Sequence, residues 1–193
     1  MNRLFGEGHW DLNELTINYR NPREVSDLAS RFAQNEGLYI STVNAVRALP
    51  DSVSRHVVDD MKALLTVTSN QAAQLANHFV SADGTGRIAI ICPNDLIKPV
   101  REAVRHRLSS LMAPSEYQRL IDQPEWDEQI SVCGTEMVKG LEFDAVIVIE
   151  PGRIEDDAPS RLVAASDLYV ATTRPTQKLV IVRTKEDERS LNI

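Results

Sequence analysis

Val138-Lys139-Gly140-Leu141-Glu142-Phe143-Asp144-Ala145-Val146-Ile147-Val148-Ile149 is the stretch whose reading decides the fold. From Ala145 onward it is an unbroken apolar run, with none of the alternation of a strand that has one face in water. Such a run fits a strand covered on both sides, as in a parallel sheet. Just ahead of it stand a Lys-Gly turn and one carboxylate, Glu142. Ile88-Ala89-Ile90-Ile91-Cys92 repeats the unbroken pattern, Leu179-Val180-Ile181-Val182 follows Arg174 in the same way, and a shorter strand is expected at 130–134. Helical stretches fall between them, at about 95–112 and 160–173. Helices alternating with buried strands predict an α/β, doubly wound domain with a mostly parallel sheet and helices on both faces. Sheets of this kind bind ligands outside the carboxyl ends of their strands.

Upstream, Leu15-Thr16-Ile17 leads in extended form to Asn18-Tyr19-Arg20. A helix is expected next, with Asn21 as N-cap, Pro22 at the first helical position and Glu24 completing a capping box. Val25, Leu28, Ala29 and Phe32 follow at helical spacing. Arg20 therefore stands just ahead of a helix N-terminus, a place that suits an anion. Residues 37–68 read as short strands around a turn near Pro50-Asp51, and Ser69 is the expected cap of a helix running to about Ala82. The segment Pro114 to Glu128 reads as partly helical. The acidic loop Glu150 to Pro159 is the best candidate for a mobile segment.

The chain has 193 residues, enough for one sizeable domain and cramped for two. Its formal net charge of −7 argues against a phosphate-binding footprint spread over the whole surface. The densest basic stretch, Arg101, Arg105, His106 and Arg107, reads as a solvated helix face paired with Glu102 or Glu116. No apolar run approaches the roughly 18–20 residues of a membrane span, and residues 1–8 lack the pattern of a secretory signal. A cytoplasmic setting is expected. It suits Cys92 and Cys133, which match no metal-ligand spacing and read as small buried apolar groups with reduced thiols. No metal site is expected in this chain.

An acid and a base at the ends of neighbouring buried strands look like parts of a phosphate-handling site. Yet no G-x-x-x-x-G-K-[ST] loop occurs in the chain, so the element that cradles nucleotide phosphates must lie elsewhere. Asn18-Tyr19-Arg20-Asn21-Pro22, Lys139-Gly140-Leu141-Glu142-Phe143-Asp144 and Leu168-Tyr169-Val170-Ala171-Thr172-Thr173-Arg174 occur in that order. They resemble motifs IV, V and VI of UvrD/Rep-type superfamily 1 helicases. The resemblance covers roughly residues 10–185 and corresponds to the second RecA-like domain (2A). It implies that residues 1–193 form that domain, with 1–14 as a lead-in.

The resemblance implies ATP as the ligand, with Mg²⁺ held by the absent first domain. It gives contact with the γ-phosphate to Arg20 and Arg174, the adenine face to Tyr19, the ribose hydroxyls to Glu142 and close backbone approach to Gly140. Thr135 and Lys139 would meet single-stranded nucleic acid. Three of these residues also have a plain structural alternative: Tyr19 as a core aromatic, Arg20 paired to a surface acid, Glu142 closing a turn. Glu136 stands where many of these helicases have a histidine that contacts the strand, and an acid there repels phosphate. Pro175 disfavours helical geometry at Arg174, so the arginine is expected at the helix exit. Only about thirty residues separate Pro99 from Ile130, too few for the 2B insertion of UvrD-like enzymes.

That short connection, Trp10 and Val148-Ile149-Glu150-Pro151 look closest to the HelD-like branch. Its members act on RNA polymerase, which becomes an expected partner beside the N-terminal RecA-like domain. A protein-interaction module with a degenerate nucleotide face, and the 2A domain of a DNA-repair helicase, are the alternatives.

Overall fold

The structure is a computed structural model that describes residues 17–35, 37–38, 44–80, 85–113, 115, 129–156 and 158–187. Trp10, the lead-in and nearly all of the segment 114–128 lie outside the described residues.

Five strands form one parallel sheet. They are β3 (Val53–Val58), β4 (Ile88–Ile91), β5 (Ile130–Cys133), β6 (Phe143–Ile149) and β7 (Pro175–Thr184), in the order β3-β7-β6-β4-β5. Ile88 to Ile91 pair with Ala145 to Val148 on one side and with Ile130 to Cys133 on the other. The central strands are buried on both faces, as their unbroken apolar runs require. A separate two-stranded parallel pair joins β1 (Ile17–Pro22) to β2 (Asn44–Arg47).

Strand alternation divides the core into two layers. Ile88, Ile90, Ala145, Ile147, Ile149, Val180 and Val182 pack with α2 (Met61–Phe79) and α3 (Ile97–Ser109). Ala89, Ile91, Val146, Val148, Leu179 and Ile181 pack with α1 (Arg23–Asn35), the short helix α4 (Pro151–Asp156) and α5 (Arg161–Thr172). The fold is the expected α/β, RecA-like doubly wound sheet with helices on both faces. Connections from β4 and β6 leave in opposite directions along the sheet, so the topological switch lies between these neighbours.

Four local expectations are corrected. Asn21 and Pro22 belong to β1, and the helix begins at Arg23. Asn21 does not cap it: its buried amide donates to the carbonyls of Thr173 (2.9 Å) and Pro175 (2.7 Å), and Glu24 accepts from Ser52 Oγ instead of closing a capping box. Long-range partners outcompete the local cap. The second helix starts at Met61, capped by Asp60, whose carboxylate accepts from Ala63 N at 2.8 Å. Leu64-Leu65-Thr66-Val67-Thr68 is locally strand-like because three of its residues are β-branched. Burial of Leu64, Thr68, Ala72, Leu75 and Ala76 against the sheet overrides that preference.

Ser69 lies inside this helix, its hydroxyl donating back to the Thr66 carbonyl. Residues 151–156 are helical, with Gly152 and Ile154 buried, so the expected mobile loop is in this part a packed element. Glu150 introduces it with φ +48° and a buried carboxylate that accepts from both N–H and hydroxyl of Thr184. On α3, Arg101 donates to the Val132 carbonyl at 2.9 Å, and Glu116, one of the two expected partners of the basic stretch, lies outside the described residues.

Candidate functional site at the amino edge of the sheet

Phe143 pairs with Pro175, so β6 and β7 begin side by side. The residues just ahead of these starts, Glu142 and Arg174, are therefore neighbours although far apart in the chain. Main-chain and side-chain bonds join them: Phe143 N donates to the Arg174 carbonyl (3.2 Å), and Arg174 Nη1 donates to the Leu141 carbonyl (3.2 Å). Arg174 Nε donates to the Val170 carbonyl at 3.0 Å, one of the last acceptors of α5. The arginine does sit at the helix exit, after the C-cap Thr173.

Arg20 arrives from the other sheet. Its Nη2 lies 2.6 Å from Glu142 Oε1, both side chains being about half exposed. Two residues hold it there that sequence reading did not assign to the task. Asn21 ties β1 to the start of β7 through the two carbonyls named above. Arg47 Nη1, from β2, donates to the carbonyls of Arg20 (2.6 Å) and Thr176 (2.7 Å), bridging the same two strands. Nothing in the local sequence around Arg47 signals this. Asp144 fixes the strand starts from below, accepting from Arg87 N and from Gln177 Nε2, each at 2.9 Å.

The electrostatics follow from the crowding. Burial first, then the charge of Arg20, pull the Arg174 guanidinium below its ordinary value, while Glu142 pulls the other way. Two guanidinium groups and one carboxylate leave a net positive charge, and both arginines keep N–H groups not used by these contacts. That donor set fits the oxygens of a phosphate group. Tyr19, 69% exposed, is not a core aromatic. Lys139 (φ −63°, ψ 122°) and Gly140 (φ +82°) are the central residues of a type II turn closed by Leu141 N to the Val138 carbonyl at 3.1 Å. A Cβ on Gly140 would meet nothing within 4 Å, so the glycine serves the turn's left-handed position and faces open space.

The remaining two site candidates lie elsewhere. Thr135 follows the carboxyl end of β5 and lines a crevice of about 300 Å³ with Cys92, Asn94, Gly134 and Asp167. Lys139 stands between the edges, its ammonium 3.0 Å from the buried Asp167 and 3.3 Å from Glu136. Bonding to Asp167, then to Glu136, raises its affinity for its proton. Arg20, Glu142 and Arg174 converge at the amino ends of β6 and β7, opposite the carboxyl ends where sheets of this kind bind ligands. The reason is that Glu142 and Arg174 precede their strands. Cys92 is buried and its thiol is pushed up to about 12, by burial first and then by the nearby Cys133. Among the described residues no group of three or more His, Cys, Asp or Glu is placed to hold a metal, and no helix is long and apolar enough to cross a membrane.

No protein-family model and no curated protein matches the chain. Among solved structures it resembles the crystal structure of the C-terminal domain of a possible DNA helicase from Lactobacillus plantarum WCFS1. The TM-score is 0.57 at 18% identity, over 86% of this chain and 88% of that one. At that identity the likeness shows the fold: this chain is built like the C-terminal domain of that possible helicase.

Proposed function

We propose that this chain is the second RecA-like motor domain of a UvrD/Rep-type ATP-dependent helicase or translocase, of the HelD-like branch, working in the cytoplasm. It would close on a nucleotide held by an N-terminal RecA-like domain. Arg20 and Arg174 would engage the γ-phosphate, Glu142 the ribose, Tyr19 the base and Gly140 the nucleotide through its backbone. ATP, with Mg²⁺ on the first domain, would supply the hydrolysis that drives inter-domain movement. The observation that carries the reading is convergence: two guanidinium groups from opposite ends of the chain meet around one carboxylate at one sheet edge, facing outward. A rigid fork of permanently charged donors suits the charge that develops on a transferring phosphoryl group.

The experiment is ATP turnover by the two-domain enzyme. Arg174→Ala is expected to slow it by about 10³–10⁵-fold while sparing ATP binding. Turnover at the parent rate in that variant would remove the assignment. The isolated chain is expected to turn over no ATP.

One observation favours a second reading, a protein-interaction module on a partner such as RNA polymerase. Lys139, proposed to meet single-stranded nucleic acid with Thr135, is already engaged by Asp167 and Glu136. Close by in the chain, Met137 is 63% exposed. Strong stimulation of the two-domain ATPase by single-stranded DNA would favour a DNA-repair helicase over both.

A further inference from the structure

Away from the amino edge, α2 and α3 pack side by side on one face of the sheet and leave an open groove of about 710 Å³ between them. Its lining is Lys62, Leu65, Thr66, Ser69, Asn70, Ala103, His106 and Arg107, with three basic residues and no carboxylate. In a chain of 28 acidic and 21 basic residues, that segregation has to be explained.

Elsewhere in the fold several cations are paired with carboxylates: Arg20 with Glu142, Lys139 with Asp167, Arg153 with Asp95, Lys185 with Asp59. Among the described residues the side chains of Lys62 and Arg107 have no hydrogen-bond or ion-pair partner. Arg107 Nε is buried and lacks an acceptor. A buried donor without a partner is rare in a native fold and calls for an acceptor.

Lys62 lies in the first turn of α2, just after the N-cap Asp60, while His106 and Arg107 occupy the last turn of α3, where cations suit the helix dipole.

We propose that the α2–α3 groove is a second anion site, one that takes a phosphate group between Lys62 and Arg107 with His106 and Asn70 at its margin. Its volume leaves room for the sugar and base attached to that phosphate, so the class of ligand is a nucleotide unit, free or within a nucleic-acid strand. The site does not depend on the function proposed for Arg20 and Arg174.

The test titrates the chain separately with inorganic phosphate, with a mononucleotide and with a short mixed-sequence single-stranded oligonucleotide, following backbone amide shifts. Perturbations centred on residues 62–70 and 103–107 are expected. For the oligonucleotide, log K should fall with log salt, and Lys62→Glu with Arg107→Glu should lower that slope by roughly 0.7 for each phosphate no longer neutralised. Affinity should drop at least tenfold in the double variant. Lys62→Glu places an acid in the first turn of α2, which favours the helix, so loss of binding in that single variant is not loss of fold. Retained perturbations with the oligonucleotide alone assign the phosphate to a strand, and with the small ligands also to free nucleotides. Absence of shifts in the groove with all three, or unchanged affinity in the double variant, overturns the proposal.

Discussion

The two edges of the five-stranded sheet treat charge in opposite ways. At the amino edge, Arg20 and Arg174 are braced from behind by carbonyls and by Glu142, and stay partly open to water. At the carboxyl edge, two carboxylates turn inward: Glu150 is buried on Thr184, and Asp187 accepts from Arg153 N while its second oxygen is buried without a partner. An edge that holds cations half-exposed leaves donors open to water. An edge that buries acids in its own backbone is prepared to close itself. Position at the end of a strand therefore says little about function until the partners of each side chain are known.

The strongest way to break the contrast is at the amino edge. Arg174→Ala should cost the two-domain enzyme three or more orders of magnitude in turnover, above about 4 kcal/mol of transition-state stabilisation, with little change in the unfolding of this chain. A parallel loss of fold would mean that the arginine is structural, like the acids opposite.

Next in size is the tie between the two sheets. Asn21→Ala removes two buried donations and leaves the carbonyls of Thr173 and Pro175 short of a partner, a loss of about 1–3 kcal/mol in denaturant unfolding. Since Asn21 also holds the strand that carries Arg20, turnover should fall with it, whereas a purely local cap would leave turnover alone. At the carboxyl edge, Asp60→Ala should cost about 1 kcal/mol through the lost cap of α2, with ATP turnover by the two-domain enzyme unchanged.

The smallest effect is visible only against pH. Burial, then the charge of Glu150, push the Asp187 carboxyl from 3.8 up to about 6. Between about 4 and 6 the folded chain holds a proton that the unfolded chain has released. The stability this contributes is complete below about 4 and is lost as pH rises through 6. Asp187→Asn should flatten thermal stability over that window and leave the variant the more stable chain at pH 7. An unchanged slope would place the titration elsewhere.

Much of the fold was legible because both-face burial leaves a one-dimensional trace. The runs at 88–92, 143–149 and 179–182 each became a central strand of the parallel sheet, and the helices at 97–109 and 161–172 lie within or close to their expected bounds. The start of the second helix, residues 61–68, was hidden, since Thr66-Val67-Thr68 favours a strand locally and only packing reverses it. The cap assigned to Asn21 failed for a related reason: a side chain with amide donors takes whichever carbonyls the fold brings, and these came from residues 173 and 175. Arg47 had no local signature because its acceptors are two main-chain carbonyls, one of them 129 residues away.

Periodicity and turn chemistry alone determined the class of sheet, the left-handed turn at Gly140 and the exit of α5 before Pro175, because these depend on steric limits and burial within a few residues. Only the tertiary structure decided that Glu142 and Arg174 share the amino edge, that Arg20 meets them there and that Lys139 turns to Asp167. Those outcomes rest on strand order and register, which join residues that are distant along the chain and leave no mark on their immediate neighbours.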